Sequence, residues 1–278
     1  MTSHIFKVPQ EFQPSQDHWY PPHSDIPMIE EQFHGFVQSN LVQSDRYYLP
    51  IYWTNYYVQN GYRSTEALDA FVHSLPKDRK YYTVVQYDDG ILNEFPFRDV
   101  VSFASGGVGT IPIPLLCKEH TRPAPVEKDI LASFVGALNG RGRVRAKMFQ
   151  ALSDKPEYVM EESSTTERFI ELMNRSEFAL CPRGYGKTSY RLYEAMQFDC
   201  IPVYVFDSPW VPWMDKINWS DICVMVQESQ IDRIPEILGS MTSERKEQMR
   251  QNIRRLYKDY FTFEGTFQNI KKWLENEQ

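Results

Sequence analysis

The stretch CPRGYGKTSYRLYEA, residues 181–195, decides how the chain is read. It follows the apolar run Phe178-Ala179-Leu180, and it ends in a helix-forming pattern. The order is therefore strand, tight turn, helix. Gly186-Lys187-Thr188 resembles the end of a phosphate-binding P-loop, but that loop needs a glycine five positions before Gly186, and residue 181 is Cys. The dinucleotide fingerprint fails as well: Gly184 and Gly186 fit, but Ser189 stands where a third glycine is required. What remains is a turn at the carboxyl end of a strand, feeding a helix expected to start near Thr188. Such a place collects loose N–H groups and the positive end of a helix dipole, which suits an anion. Arg183, Lys187 and Arg191 add positive charge, and Ser189 offers a hydroxyl. Arg191 and Glu194 are i,i+3 neighbours on one helix face. A carboxylate one turn into that helix reaches the hydroxyls of a ribose while the helix start holds a diphosphate. By spacing alone, an ordinary turn with an Arg–Glu surface pair fits equally well.

Working outward, the flanking segments alternate. Residues 130–136, 158–160, 178–182, 201–206 and 222–226 read as strands. Residues 143–152, 166–174 (capped by Thr165) and 188–198 read as helices. A long charged helix runs from about Thr242. Strand–helix alternation predicts a parallel sheet covered on both faces. The first part is less regular. A Pro- and Gln-rich arm over residues 1–27, with Trp19 and Tyr20 as tethers, precedes a helix at 28–42. Strands are expected at 46–53, 80–87, 100–104 and 111–115, with a helix at 64–75 capped by Ser64. The Pro-rich, polar segment 118–128 reads as a linker. Two domains are expected, 1–125 and 126–278, the last helix packing back on the first.

The 278 residues suffice for two modest cores, and a composition 42% hydrophobic and 24% charged is that of a globular protein. A net charge of −7 argues against a nucleic-acid partner. The four cysteines show no CxxC, and they read as buried free thiols. No apolar run approaches the length of a transmembrane helix, and the first residues are unlike a signal peptide, so a cytoplasmic protein is expected.

The run SEFALCPRGYGKTSYRLYEAMQFDCIPV, residues 176–203, resembles the exostosin glycosyltransferase signature. That signature has a strand ending in Cys-Pro-x-Gly, then Ser-x-Arg, Glu-Ala and Gly-Cys-Ile-Pro-Val. Asp199 departs from it, standing where the family usually has Gly. Phe134-Val135-Gly136, the arginines from Arg141 to Arg145, Asp207 and Trp219 extend the likeness over residues 130–230. The resemblance implies a GT-B fold, an α/β architecture of two Rossmann-like domains facing a central cleft. It implies an inverting transferase that moves sugar from a UDP-sugar to a glycan acceptor without an obligatory metal or other cofactor. The sequence contains no Asp-x-Asp. On this reading Arg145, Arg183, Gly184, Ser189 and Arg191 hold the diphosphate, and Glu194 holds the ribose. Asp88, with Asp89 beside it, is the candidate general base. Tyr87-Asp88-Asp89-Gly90 keeps the Asp and Gly of a His-Asp-x-Gly pattern and has Tyr in place of the His. A solvated hairpin turn is the plain alternative there, and Glu94, His34 and His73 are lesser candidates. Trp210, Trp213 and Trp219 read either as stacking platforms or as core. The chain resembles the short soluble family members of microbes and large DNA viruses, with xylose the favoured sugar. The competing function is a non-catalytic nucleotide- or sugar-binding protein of the same fold.

Overall fold

The computed structural model describes residues 4–16, 27–138 and 143–277. The elements run α1 (Ile29–Ser39), β1 (Arg46–Tyr48), α2 (Trp53–Gln59), α3 (Glu66–Ser74), β2 (Lys80–Val85), β3 (Val100–Ala104), β4 (Ile111–Pro112) and β5 (Ile130–Val135). They continue with α4 (Val144–Leu152), β6 (Tyr158–Glu161), α5 (Thr166–Arg175), β7 (Ser176–Pro182), α6 (Tyr190–Gln197) and β8 (Ile201–Phe206). The last are β9 (Val224–Gln227), α7 (Ile234–Gly239), α8 (Ser243–Tyr260) and α9 (Phe263–Asn276). Two sheets result, β1-β2-β3-β4 and β6-β5-β7-β8-β9, and every pairing in them is parallel. The α/β class with two parallel sheets is the one expected.

The chain forms two compact units: Met1–Leu116 with Thr262–Gln278, and Cys117–Phe261. Residues 117–125, expected in the first domain, join the second unit because their polar groups are held there. Asn174 Nδ2 donates to Ala124 O (3.0 Å), and Arg122 pairs with Asp199 (2.6 Å). Asp199 sits at φ 51°, a left-handed conformation that glycine adopts freely and Asp tolerates. Its carboxylate also meets Arg254 at 3.2 Å, so the departure from the family pattern supplies an ion pair.

In the second unit the strand order, numbered within the unit, is 2-1-3-4-5. The order reverses between β5 and β7, and open α/β sheets bind ligands outside the strand ends at such a switch point. Every residue of β8 is buried, as a strand covered on both faces requires. All four cysteines are free and buried.

In the first unit the strands follow one another in chain order with no reversal. The amino-terminal arm is less irregular than expected: Phe6 N donates to Tyr48 O and Tyr48 N to His4 O, a parallel bridge on β1. Phe6 and Phe12 both pack on Phe71. Trp19 and Tyr20 lie outside the described residues. Helix α9 belongs to this unit, with Phe267 against Phe33 (5.2 Å) and Phe36 (5.4 Å), and Trp273 against Phe103 (5.4 Å).

Three local expectations are corrected. The strand expected over 46–53 stops at Tyr48, and Trp53 opens α2. Burial of its ring, whose Nε1 donates to Thr83 Oγ1 (2.9 Å), overrides the weak helix propensity of WTNYYVQ. Thr65, not Ser64, caps α3 by accepting from Leu68 N. The single long final helix is two, because Phe261 is buried and Thr262 starts a new cap on Gly265 N.

Candidate functional site

Three arginines of the second unit, Arg145, Arg183 and Arg191, lie near the switch point. Arg191, on the first turns of α6, reaches back to β5: Nη2 donates to Val135 O, and the guanidinium lies 4.9 Å from the Phe134 ring centre. Gly136 makes room for it. A Cβ there would stand 2.8 Å from Arg191 Nη2. The Nε and Nη1 atoms of Arg191 are shut off from solvent and find no partner among the described residues. Burial pushes the pKa of this guanidinium down from the ordinary arginine range, with the charge of Glu194 opposing the fall. A buried cation with orphaned donors is costly, and an anion would offset that cost.

Arg145, on α4, reaches the same strand end. Its Nη1 donates to Ala137 O (3.2 Å), just after β5. Its Nη2 would lie 3.2 Å from a Cβ on Gly184, so Gly184 permits the approach. Arg183 is buried and pairs with Asp207 (2.7 Å), while its Nε has no partner among the described residues. Ser189 is the N-cap residue of α6, at φ −147° and ψ 134°, and its side chain makes no capping bond. The helix starts two residues later than expected, since Gly184 N donates to Thr188 O and holds residues 184–188 in a closed turn. Thr188, which the sequence reading passed over, buries an Oγ1 that is likewise unpartnered. Arg145, Arg183, Gly184, Ser189 and Arg191 thus lie at or near the carboxyl ends of β5 and β7, with Arg145 beside Gly184 and Arg191 against Val135.

Glu194, one turn further along α6, is buried. Its Oε1 lies 3.1 Å from Nε2 of His120. His120 was not singled out: it comes from the Pro-rich joining segment, 74 positions away, where a lone His carries no periodic signal. The loop after β8 docks beside the 183–188 turn. Tyr204 OH donates to Lys187 O and accepts from Trp210 N (3.2 Å), and Lys187 Nζ lies 5.7 Å from the Trp210 ring. Trp213 and Trp219 are core residues. Of the basic run, Arg141 lies outside the described residues, Arg143 is exposed, and Lys147 pairs with Glu228.

In the first unit Asp88 and Asp89 follow β2 and are half-buried. Gly90 N donates to Tyr87 O (2.9 Å), closing a turn that ends with Gly90 at φ 71°. It is not a hairpin turn, because β2 and β3 run parallel. The turn is clamped by the chain after β3: a Cβ on Gly106 would stand 2.6 Å from Asp88 Cα, and one on Gly90 would stand 2.5 Å from Val108 O. Two residues before Asp88, Gln86 N donates to Oε1 of Glu30 (3.0 Å). That oxygen also accepts from Thr54 N (3.1 Å) and Thr54 Oγ1 (2.6 Å). Glu30 Oε2 is buried with no partner among the described residues, and burial raises the pKa of this carboxyl. The sequence reading did not identify Glu30. Of the lesser candidates, His34 Nδ1 lies 2.9 Å from Tyr52 OH, with its pKa lowered by burial, and His73 Nδ1 contacts the Asp69 carbonyl of its own helix.

Among the described residues, no helix is long and apolar enough to cross a membrane. Over 167 residues the chain is 30% identical to a "probable beta-1,4-xylosyltransferase" of Arabidopsis thaliana, covering 55% of this chain and 40% of that protein. Over 164 residues it is 29% identical to a "probable glucuronosyltransferase" of Oryza sativa subsp. japonica, covering 54% and 37%. The chain therefore spans about two fifths of the length of these relatives. Among solved structures it aligns with the crystal structure of TarM at a TM-score of 0.44 and 12% identity, over 87% of this chain and 53% of that one. The exostosin GT47 domain model matches residues 99–241, more than half of the chain, and takes in Arg145, Arg183, Gly184, Ser189, Arg191 and Glu194. The chain belongs to the exostosin GT47 family.

Proposed function

We propose that the chain is an inverting, metal-independent glycosyltransferase of GT-B type that moves a sugar from a UDP-sugar to a glycan hydroxyl. The observation that carries this reading is the buried, half-satisfied guanidinium of Arg191 at the reversal of strand order. In the proposed complex the diphosphate takes the orphaned donors of Arg191 and Arg183, with Arg145, the Gly184 turn and Ser189 around it. Glu194 accepts from the ribose hydroxyls. As the acceptor oxygen attacks the anomeric carbon, Asp88 takes its proton, with Asp89 beside it. The bond to the diphosphate oxygen breaks, and UDP leaves with the electron pair. Fixed positive charge at the developing anion lowers that barrier. Relatives named for xylosyl and glucuronosyl transfer make UDP-xylose and UDP-glucuronate the first donors to test, and we favour xylose.

Purified protein titrated with a panel of UDP-sugars, with and without EDTA, tests this reading through its melting temperature and the release of UDP. A ligand that binds only the native state must raise that temperature. Stabilisation by one UDP-sugar with slow UDP release, both unaffected by EDTA, is the expected result. No shift with any of them sinks the proposal. A second reading, a binding protein without turnover, is favoured by Tyr87 standing where the family pattern has His. It predicts stabilisation with no UDP release under any acceptor.

A further inference from the structure

Resting on the reading of Glu194 as the ribose ligand, we propose that His120 is a positioning residue for the Glu194 carboxylate and thereby sets how strongly the site holds the ribose hydroxyls. A carboxylate accepts hydrogen bonds and does not donate them, so at 3.1 Å the proton of the contact sits on His120 Nε2. Both side chains are almost fully buried, at 4% and 9% exposure. The imidazole is wedged between Phe169 and Phe198, with ring centres 5.7 and 5.8 Å away. Its backbone is fixed as well. His120 N donates to Gln197 Oε1 (2.8 Å), and Gln197 Nε2 donates back to Lys118 O (3.2 Å). The joining segment is thus strapped along the face of α6 that carries Arg191, Glu194 and Gln197, at steps of three residues.

The consequence is geometric. Two vicinal hydroxyls are gripped by a carboxylate only when its plane is held in one orientation. A free glutamate must give up rotamer freedom on binding, and a pre-oriented one does not. His120 touches no ligand in this scheme. It acts through Glu194.

The test is a cycle of two ligands and several proteins, read as dissociation constants on the full chain. The ligands are UDP and 2′,3′-dideoxy-UDP, which lacks both hydroxyls. The wild type is expected to prefer UDP by about tenfold or more, the scale of one hydrogen-bonded charged contact. In His120→Ala that preference is expected to shrink to about twofold, with the affinity for dideoxy-UDP unchanged, since the removed residue then has nothing to position. His120→Gln, whose amide N–H reaches the same oxygen, is expected to restore most of the preference. If the alanine variant fails to fold, His120→Phe keeps a ring between Phe169 and Phe198 and removes only the donor, and it carries the same expectation. A wild type with no preference overturns the ribose reading of Glu194, and the inference with it. A preference that survives in His120→Ala or His120→Phe overturns the inference alone. Loss of affinity for both ligands in equal measure assigns His120 a structural role and overturns it too.

Discussion

The carboxyl ends of the two sheets differ in how they make a place for chemistry. In the second unit the strand order reverses, and a sheet of this class takes its ligands beyond the strand ends at such a point. Two arginines there, Arg183 and Arg191, keep donors that the described residues do not use. In the first unit the strands follow in order, and nothing in the topology opens a crevice. There the special feature is acidic: Asp88 and Asp89 on a turn clamped by Gly106, with the buried carboxyl of Glu30 behind it. On the proposed reading one edge receives the departing anion and the other the departing proton. The contrast shows that a parallel sheet presents a site either through its strand order or through a loop packed on its rim, and the two carry different charge.

The sharpest way to break that contrast is Asp88→Asn. If the acidic edge supplies the base, turnover falls about 10²- to 10⁴-fold, while UDP affinity stays within about twofold. A variant that still releases UDP at the parent rate moves the base elsewhere on that edge. Next comes Phe267→Ala. The ring packs on Phe33 and Phe36, and its loss is expected to cost about 3–5 kcal/mol in urea unfolding. UDP is still expected to bind the folded protein, because every residue proposed to hold it belongs to the other unit. Arg191→Met sharpens the cationic side. Affinity for UDP is expected to fall about 30- to 1000-fold, for a lost buried charge contact of about 2–4 kcal/mol. The ligand-free protein is expected to lose no stability, because the removed charge had orphaned donors. Equal loss of stability and binding would make Arg191 a plain core residue.

The smallest effect concerns Glu30. Its carboxyl has a raised pKa in the folded state, so the native protein holds this proton where the unfolded chain has released it. The contribution to stability is full below the unfolded value and is lost as pH rises through the raised folded value. Glu30→Gln keeps an acceptor for Thr54 and Gln86 and removes the titration. Its urea midpoint is expected to fall less with rising pH across that window. An unchanged slope would show that another group is responsible.

The legibility of the sequence follows the same division. The second unit was readable because its signals are local. A strand, a glycine turn and the start of a helix lie within residues 176–198, and the apolar run of β8 is unbroken. Arg183, Gly184, Ser189 and Arg191 therefore reach one edge by chain connectivity alone. The rest was assembled by packing. Glu30, Thr54, Gln86 and Gly106 come from four separate segments, and only tertiary contact makes Glu30 a buried acid. Helix α2 escaped notice because WTNYYVQ is rich in residues that favour strands, and the burial of Trp53 decided its form. His120 gave no pattern at all, Thr188 entered only through a P-loop likeness that fails, and their meaning lies in which atoms they are shut in with.

The first unit is discontinuous in the chain, and its closing element is α9. On the ribosome this fixes an order of events. The whole second unit leaves the exit tunnel while Phe33, Phe36 and Phe103 still lack the helix that covers them. A stalled nascent chain from which Phe103 has emerged but α9 has not therefore leaves Phe33, Phe36 and Phe103 without the rings that cover them. Chaperone binding to such stalled chains should end only when Phe267 and Trp273 emerge.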